Sequence, residues 1–287
     1  MVTGGGAVDP RASAERRADA ARALSARETS RAERHETLAA QAPGPKLRDL
    51  HLRIAALHRS TAARHATAAS LQDRFVARLA RWARDRRAPR PLFMAGVAEA
   101  CGAGSAALTL VGATFDQLAL AASDEPARAA QELEFLLGEG PARDATRELR
   151  PVSAAGRALY DRWPGYGPAL AELGIARVAA VPLSLGDTCV GALAVFDPVP
   201  GLVGPDAFME VAEALTRSVI LSPDGDPGLD GGVTVRAVVH QAAGMLSVQV
   251  DRPVGDALEL IKAHAFAEGR SAHSVATRIL RGELRLG

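Results

Sequence analysis

Aromatic side chains are scarce in this chain, at 4% of 287 residues with two Trp and two Tyr, so a core has to be assembled from aliphatic and small side chains. Cysteine is as rare: Cys101 and Cys189 form no CxxC pair, which excludes a disulfide framework and a paired-cysteine zinc site, and both thiols are expected to be reduced. No stretch approaches the ~20 uninterrupted apolar residues of a membrane span. The opening MVTGGGAVDP has no hydrophobic signal core. A cytoplasmic protein is therefore expected. Catalytic signatures are missing too: there is no GxxxxGKS/T loop, no HExxH and no GxSxG. Acids are plentiful in the middle of the chain, but no pair stands at a defensible spacing. His240 and His264 fall on separate predicted helices. No catalytic residue, metal or cofactor is expected.

What the chain has instead is alanine, a strong helix former whose small side chain also lets helices approach closely. At this length about two domains are expected, and a hydrophobic content of 48% is ample for their cores. The net charge of +1 conceals an uneven layout. Residues 1–87 carry 18 Lys/Arg against 9 Asp/Glu, residues 88–232 carry 9 against 19, and residues 233–287 carry 7 against 5. Two basic ends flank an acidic middle, as a nucleic-acid contact at the ends would require. The same layout also fits arginine-rich helices with solvated faces.

Residues 1–10 are small and glycine-rich and read as a disordered tail. Residues 11–87 read as a helical hairpin or coiled-coil segment, broken at Pro43-Gly44-Pro45. In its second half Leu47, Leu50, Ile54, Leu57, Thr61, Arg64, Ala68, Leu71, Phe75, Arg78 and Trp82 alternate steps of three and four, a heptad seam with polar lapses. Such a seam needs a partner, either the first helix folding back or a second protomer, and a homodimer is expected. His51, His58 and His65 recur every seven residues, about 10 Å of helical rise, too far apart for shared metal ligation on one helix. They are expected to be solvated flanking residues, with a pH-sensitive interface as the other reading.

Residues 233–287 hold three apolar-periodic segments. In the first, Val235, Val238, Val239, Ala242, Met245, Leu246 and Gln249 fall on one helix face. The second, with Val254, Ala257, Leu258, Ile261 and Ala265, lies between Pro253, suited to a first helical position, and Gly269, suited to the residue after a helix end. The third repeats Val275, Ala276, Ile279 and Leu280 after Ser271 as N-cap. The string HQAAGMLSVQ at residues 240–249 resembles the first helix of ANTAR domains, as do the spacings from Ala257-Leu258 through Ile261 to Ala265 and then Val275-Ala276. These are three-helix RNA-binding modules of bacterial transcription antiterminators. Where many ANTAR domains carry an Ala-Lys pair, this chain has Ala242-Ala243, so one cation is missing. The resemblance and the charges together assign RNA contacts to Arg236, His240, Gln241, Ala242, Gly244, Met245, Lys262, Arg270, His273 and Arg278, with Arg281 as a further cation. The cations would meet phosphates, and Gln241 would hydrogen-bond a base edge in a loop, where RNA sequence is normally read.

Residues 90–221 change to mixed helix and strand. Helices are predicted over 92–101, 127–137, 165–174 and 205–221. Strands are predicted over 106–111, 117–122, 177–185 and 189–196, the last two forming a hairpin around Gly186-Asp187. Strand pairs with helices between them imply an α+β domain with an antiparallel sheet. The segments LGEGPARDA at 137–145, RPV at 150–152 and VPLSLGDTCVGALAVF at 181–196 resemble a GAF domain, a cytoplasmic sensory fold. Ala142 stands where similar proteins often carry cysteine, which excludes a thiol sensor or a covalently attached chromophore at that position. Tyr160, Trp163 and Tyr166 are candidate walls of a small-molecule pocket or, equally, a packed cap over the core. Cys189 is expected to be a small buried hydrophobe. Residues 222–232, SPDGDPGLDGG, read as a flexible acidic linker.

The expectation is thus an α+β multidomain chain with an N-terminal coiled-coil-like segment, a central GAF-like domain and a C-terminal ANTAR-like module. It would be a regulator of transcription antitermination whose sensory domain controls binding to stem-loops in nascent mRNA. The alternatives are a DNA- or protein-binding transcriptional regulator, and a ligand sensor whose C-terminal helices only mediate dimerisation.

Overall fold

The computed structural model describes residues 9–87, 89–186, 188–201, 205–216 and 233–286. The described residues form eleven helices and one six-stranded sheet. The chain divides into two compact units, residues 1–100 with 204–231, and residues 101–203 with 232–287. The tail residues 1–8 and the expected linker at 222–232 lie outside the described residues, as does Asp187 of the expected turn.

In the first unit, α1 (Pro10–Ala40) starts where the Asp9 side chain accepts a hydrogen bond from the Arg11 amide, with Pro10 at the first turn. The Pro43-Gly44-Pro45 break separates it from α2 (Pro45–Arg84). The two helices pack as a hairpin through small side chains: Ala14, Ala18, Ala32 and Ala39 of α1 and Ala55, Ala62 and Ala69 of α2 are all buried. Ser25 Oγ donates to the Ala62 carbonyl at 2.9 Å, a reach that only closely spaced helices allow.

The leucine seam of α2 is therefore not the stripe that α1 occupies. Leu71, Phe75 and Leu79 on its second half are buried, with Phe75 meeting Phe93 of α3 (Phe93–Ala100) edge-on at 5.8 Å. Thr67 Oγ1 donates to Glu210 of α8 (Pro205–Leu215) at 2.5 Å, and Arg64 is ion-paired with Glu213. Leu47, Leu50 and Leu57, on the first half, stay exposed. Alanine-rich α1 has no large apolar face to offer them, and it fits the His/Ala stripe instead.

That choice corrects the expectation for the histidines. His51 and His58 are half-buried against α1 rather than solvated. His51 Nδ1 lies 3.0 Å from His35 Nδ1, His58 Nδ1 lies 2.6 Å from Glu28 Oε2, and the His35 and His58 rings stack at 5.7 Å. A seven-residue repeat is the contact period between two helices, and here that is what it marks. Among the described residues no group of three or more His, Cys, Asp or Glu is placed to hold a metal ion. No helix among them is long and apolar enough to cross a membrane.

The second unit holds the sheet: β1 (Ala103–Val111), β2 (Gln117–Ala122), β3 (Val152–Ala155), β4 (Arg177–Leu185), β5 (Thr188–Pro198) and β6 (Val233–Val235). Its order is β3-β4-β5-β1-β2-β6, with every neighbour antiparallel. The β4–β5 hairpin forms as expected, with Gly186 at φ 59°. Strand residues Ala107, Leu120, Ala180, Ala194 and Phe196 share a core with α4 (Glu125–Leu137), α5 (Pro141–Glu148) and α7 (Tyr166–Glu172). β1 and β5 approach so closely that a Cβ on Gly191 would lie 2.0 Å from the Thr109 carbonyl oxygen, so glycine is obligatory there. The elements not foreseen, α5, β3, α6 (Arg157–Arg162) and β6, are three to eight residues long, too short for either periodicity to show.

The three C-terminal helices are α9 (Ala237–Val250), α10 (Val254–Ala267) and α11 (Ala272–Leu280). Pro253 precedes α10, Gly269 follows it at φ 61°, and Ser271 caps α11 by accepting from the Ser274 amide. Val239, Ala242, Leu246, Ile261, Val275 and Ile279 make their core, and Phe135 of α4 inserts into it. These helices therefore share a compact unit with the sheet instead of standing apart from it.

Candidate nucleic-acid interface

The join between sheet and C-terminal helices begins with β6, which pairs with β2 and leads into α9 through Arg236, whose amide donates to the Leu118 carbonyl at 2.8 Å. The Arg236 side chain is 0% exposed. Its Nε donates to Gln117 Oε1 at 2.9 Å, its Nη2 lies 2.7 Å from Glu132 Oε2, and its guanidinium carbon sits 3.9 Å from the centre of the Phe135 ring. Lys262 of α10 is 6% exposed, with Nζ 4.7 Å from the same ring centre and 2.8 Å from Glu259 Oε1. Two cations thus meet one aromatic ring, an arrangement favoured by the ring quadrupole once water is excluded. Glu132 also accepts from the Ala272 amide at 2.8 Å, so one carboxylate holds both Arg236 and the first turn of α11. His240 Nε2 lies 3.2 Å from the Gln117 carbonyl.

A different set faces outward. Gln241, Arg270, His273 and Arg281 are exposed, and Arg278 is half-exposed. At the α10–α11 junction three basic side chains converge on one acid. Arg278 Nη1 lies 2.7 Å from Glu268 Oε2, Arg270 Nε lies 3.5 Å from the same oxygen, and His264 Nε2 lies 3.1 Å from Oε1. Burial pushes the Glu268 carboxyl up, but Arg278, joined by His264 and Arg270, holds the group below its ordinary range. Of the remaining expected contact residues, Ala242 is wholly inside the helical core, and Gly244 and Met245 are half-buried. The ten therefore divide into a buried pair on Phe135, a junction cluster on the surface, core or intermediate positions along α9 (His240, Ala242, Gly244, Met245), and Gln241 exposed on the same helix. His264 and Glu268 were missed, although their four-residue spacing was a usable signal. Phe135, Glu132 and Gln117 carried no such signal.

Trp163 and Tyr166 are buried with rings edge-on at 6.1 Å, and Trp163 Nε1 donates to Asp144 Oδ2 at 3.1 Å. Tyr160 is 44% exposed. The turn between α6 and α7 sends two of the three rings inward and one out. A cavity of about 630 Å³ lies elsewhere, between α4, α7 and the α10–α11 junction, with Leu133, Leu136, Leu173, Phe266, Arg270 and His273 in its wall. Its size suits a small organic molecule. Its wall comes from three separate segments, which is why no single stretch of sequence announces it. Cys189 is half-buried rather than fully buried, its thiol donating to the Gly191 carbonyl at 3.3 Å, and burial pushes the Cys101 thiol up to about 12.

Neither protein-family models nor curated proteins match this chain. Function lies in the chemistry of these surfaces rather than in the fold.

One buried acid stands out in that chemistry. Glu134 of α4 accepts from the Arg143 amide at 2.6 Å and from Gln131 Nε2 at 2.7 Å, yet burial dominates and pushes its carboxyl up to about 7. Gly140, at φ 154°, makes room for it: a Cβ there would lie 2.6 Å from the Glu134 side chain.

Proposed function

We propose that the chain is an RNA-binding regulator of transcription antitermination, in which a GAF-like sensory region controls an ANTAR-like three-helix module. The observation that carries this reading is the junction cluster, where Arg270, Arg278 and His264 share the single carboxylate of Glu268, with exposed His273 and Arg281 on the neighbouring helix. Basic groups outnumber acids there, so donors remain for phosphates. The exposed Gln241 amide supplies the donor and acceptor pair that a base edge needs. One small module buries little surface, so two acting together would raise affinity through effective concentration. Exposed Leu47, Leu50 and Leu57 on α2 support the pairing of two protomers.

The test compares binding of a two-stem-loop RNA with a DNA duplex of equal length, from low to physiological salt. Stem-loop RNA is expected to bind more tightly, with affinity falling steeply as salt rises. Arg270→Ala and Arg278→Ala should each weaken binding and reduce the logarithmic salt slope by roughly 0.7–1. Equal binding of RNA and DNA, with slopes unmoved by either substitution, would sink the reading.

A further inference from the structure

Five side chains in the second unit form one hydrogen-bonded chain in which every link donates in the same direction. Arg236 Nε donates to Gln117 Oε1 at 2.9 Å, Gln117 Nε2 to Thr109 Oγ1 at 3.3 Å, Thr109 Oγ1 to Gln131 Oε1 at 2.5 Å, and Gln131 Nε2 to Glu134 Oε2 at 2.7 Å. None of the five is more than 9% exposed. A cation at one end and a carboxyl group at the other polarise the intervening dipoles in one sense, and such chains strengthen cooperatively. Four members belong to the sheet and α4. Only Arg236 comes from the C-terminal segment, and the same guanidinium meets Glu132 and Phe135. A buried guanidinium is costly unless all such partners are in place, and it is well satisfied in water. The contact is therefore conditional: the C-terminal helices dock with Gln117, Glu132 and Phe135 gathered round the guanidinium, or they leave with the cation solvated. Their own core of Val239, Leu246, Ile261, Val275 and Ile279 goes with them. A cavity of about 40 Å³, room for a few water molecules, borders Thr109, Gln117, Gln131, Phe135 and Lys262, so both the chain and the ring can be reached by a small polar molecule.

We propose that the docked arrangement is the closed state of the nucleic-acid module, latched by Arg236 and Lys262 on Phe135, Glu132 and Gln117, and that opening the latch returns both cations to solvent for phosphate. The consequence for RNA rests on the function proposed above; the latch itself does not.

The experiment measures amide exchange and stem-loop RNA affinity in parallel on the full chain. Glu132→Gln and Phe135→Leu should speed exchange at Ala272 and across residues 237–246 by about tenfold, with far-UV circular dichroism unchanged, and should tighten RNA binding by about tenfold, a typical coupling between two states. Arg236→Gln should speed exchange equally without tightening RNA binding, because it removes one of the released cations. Arg236→Lys keeps the charge but loses the fork, and it covers the case in which a bolder variant fails to fold. Unchanged exchange in folded Glu132→Gln and Phe135→Leu overturns the latch. In Glu132→Gln and Phe135→Leu, faster exchange with RNA affinity unchanged or weaker overturns the closed-state assignment. Faster exchange in every variant, with none binding stem-loop RNA better than duplex DNA, supports the latch and sinks the RNA reading alone.

Discussion

In the α1–α2 hairpin, charged side chains stand at the rim of an alanine seam, whereas in the sheet unit they lie inside the packing. Arg22 and Asp73 pair at 2.8 Å across the hairpin with both side chains about half exposed, and Arg59 does the same with Glu36 at 2.9 Å. Arg236 and Glu134 have almost no solvent and depend on neighbours for every polar contact. The rim pairs trade water for a partner at little net gain, typically 0–1 kcal/mol. The interior groups have no such fallback, so they decide whether an arrangement forms at all. The hairpin is held by close-packed small residues and decorated by charge; the docking of the C-terminal helices is held by the charges themselves.

The sharpest way to break that contrast is Glu132→Ala, which leaves the buried Arg236 without its carboxylate. It should cost the sheet unit about 3 kcal/mol by chemical denaturation. Glu132 is itself 18% exposed, so water replaces it only in part, and a loss below ~1 kcal/mol would show that Arg236 is satisfied by other means. In the hairpin the comparable injury is steric. Ala32→Leu puts a large side chain into the alanine seam and should cost about 2 kcal/mol; no cost would mean that the helices are not closely spaced there.

Acidity should move the two units in opposite directions. Burial, followed by the charges of His51 and His58, lowers the His35 pKa, and the His58 hydrogen bond, ahead of Arg31, holds Glu28 below its usual range. A depressed histidine favours the neutral form in the fold, so this contribution is present above about 6.5 and is lost as pH falls below it. Glu28 adds stability above its ordinary value and loses it at still lower pH. Glu134 is raised from 4.5 to about 7, so its contribution is fully present below 4.5 and is lost as pH rises through 7. Region-resolved amide exchange at pH 5 and 7.5 should show the hairpin weaker and the sheet unit stronger at the lower pH, the latter by on the order of 2 kcal/mol. Glu134→Gln should flatten the sheet unit's dependence. Parallel slopes in the two units would refute the assignment. The smallest effects belong to the rim: Asp73→Ala and Tyr160→Ala should each change stability by less than about 0.5 kcal/mol.

Much of the architecture was legible where a period repeats often enough. The Pro43-Gly44-Pro45 break, the β4–β5 hairpin, the span of β2 and the start of α11 at Ser271 all follow from local chemistry, and the structure has them. The heptad on α2 was equally legible, but it did not say which stripe α1 would take, because two stripes with the same period coexist on that helix. Tyr160, Trp163 and Tyr166 looked alike as a triplet and were separated only by the turn between α6 and α7.

The chain's own order of residues determined the helices, the strand pairs, the small-residue seams and the uneven charge, since each depends on neighbours within a few positions. Tertiary structure alone decided that Arg236 and Lys262 turn inward while Arg270 and Arg278 stay at the surface. Gln117 lies 119 residues from Arg236, and Glu132 lies 140 from Ala272. A cation's availability depends on which carboxylate and ring the fold brings to it, and no local pattern encodes partners at that distance.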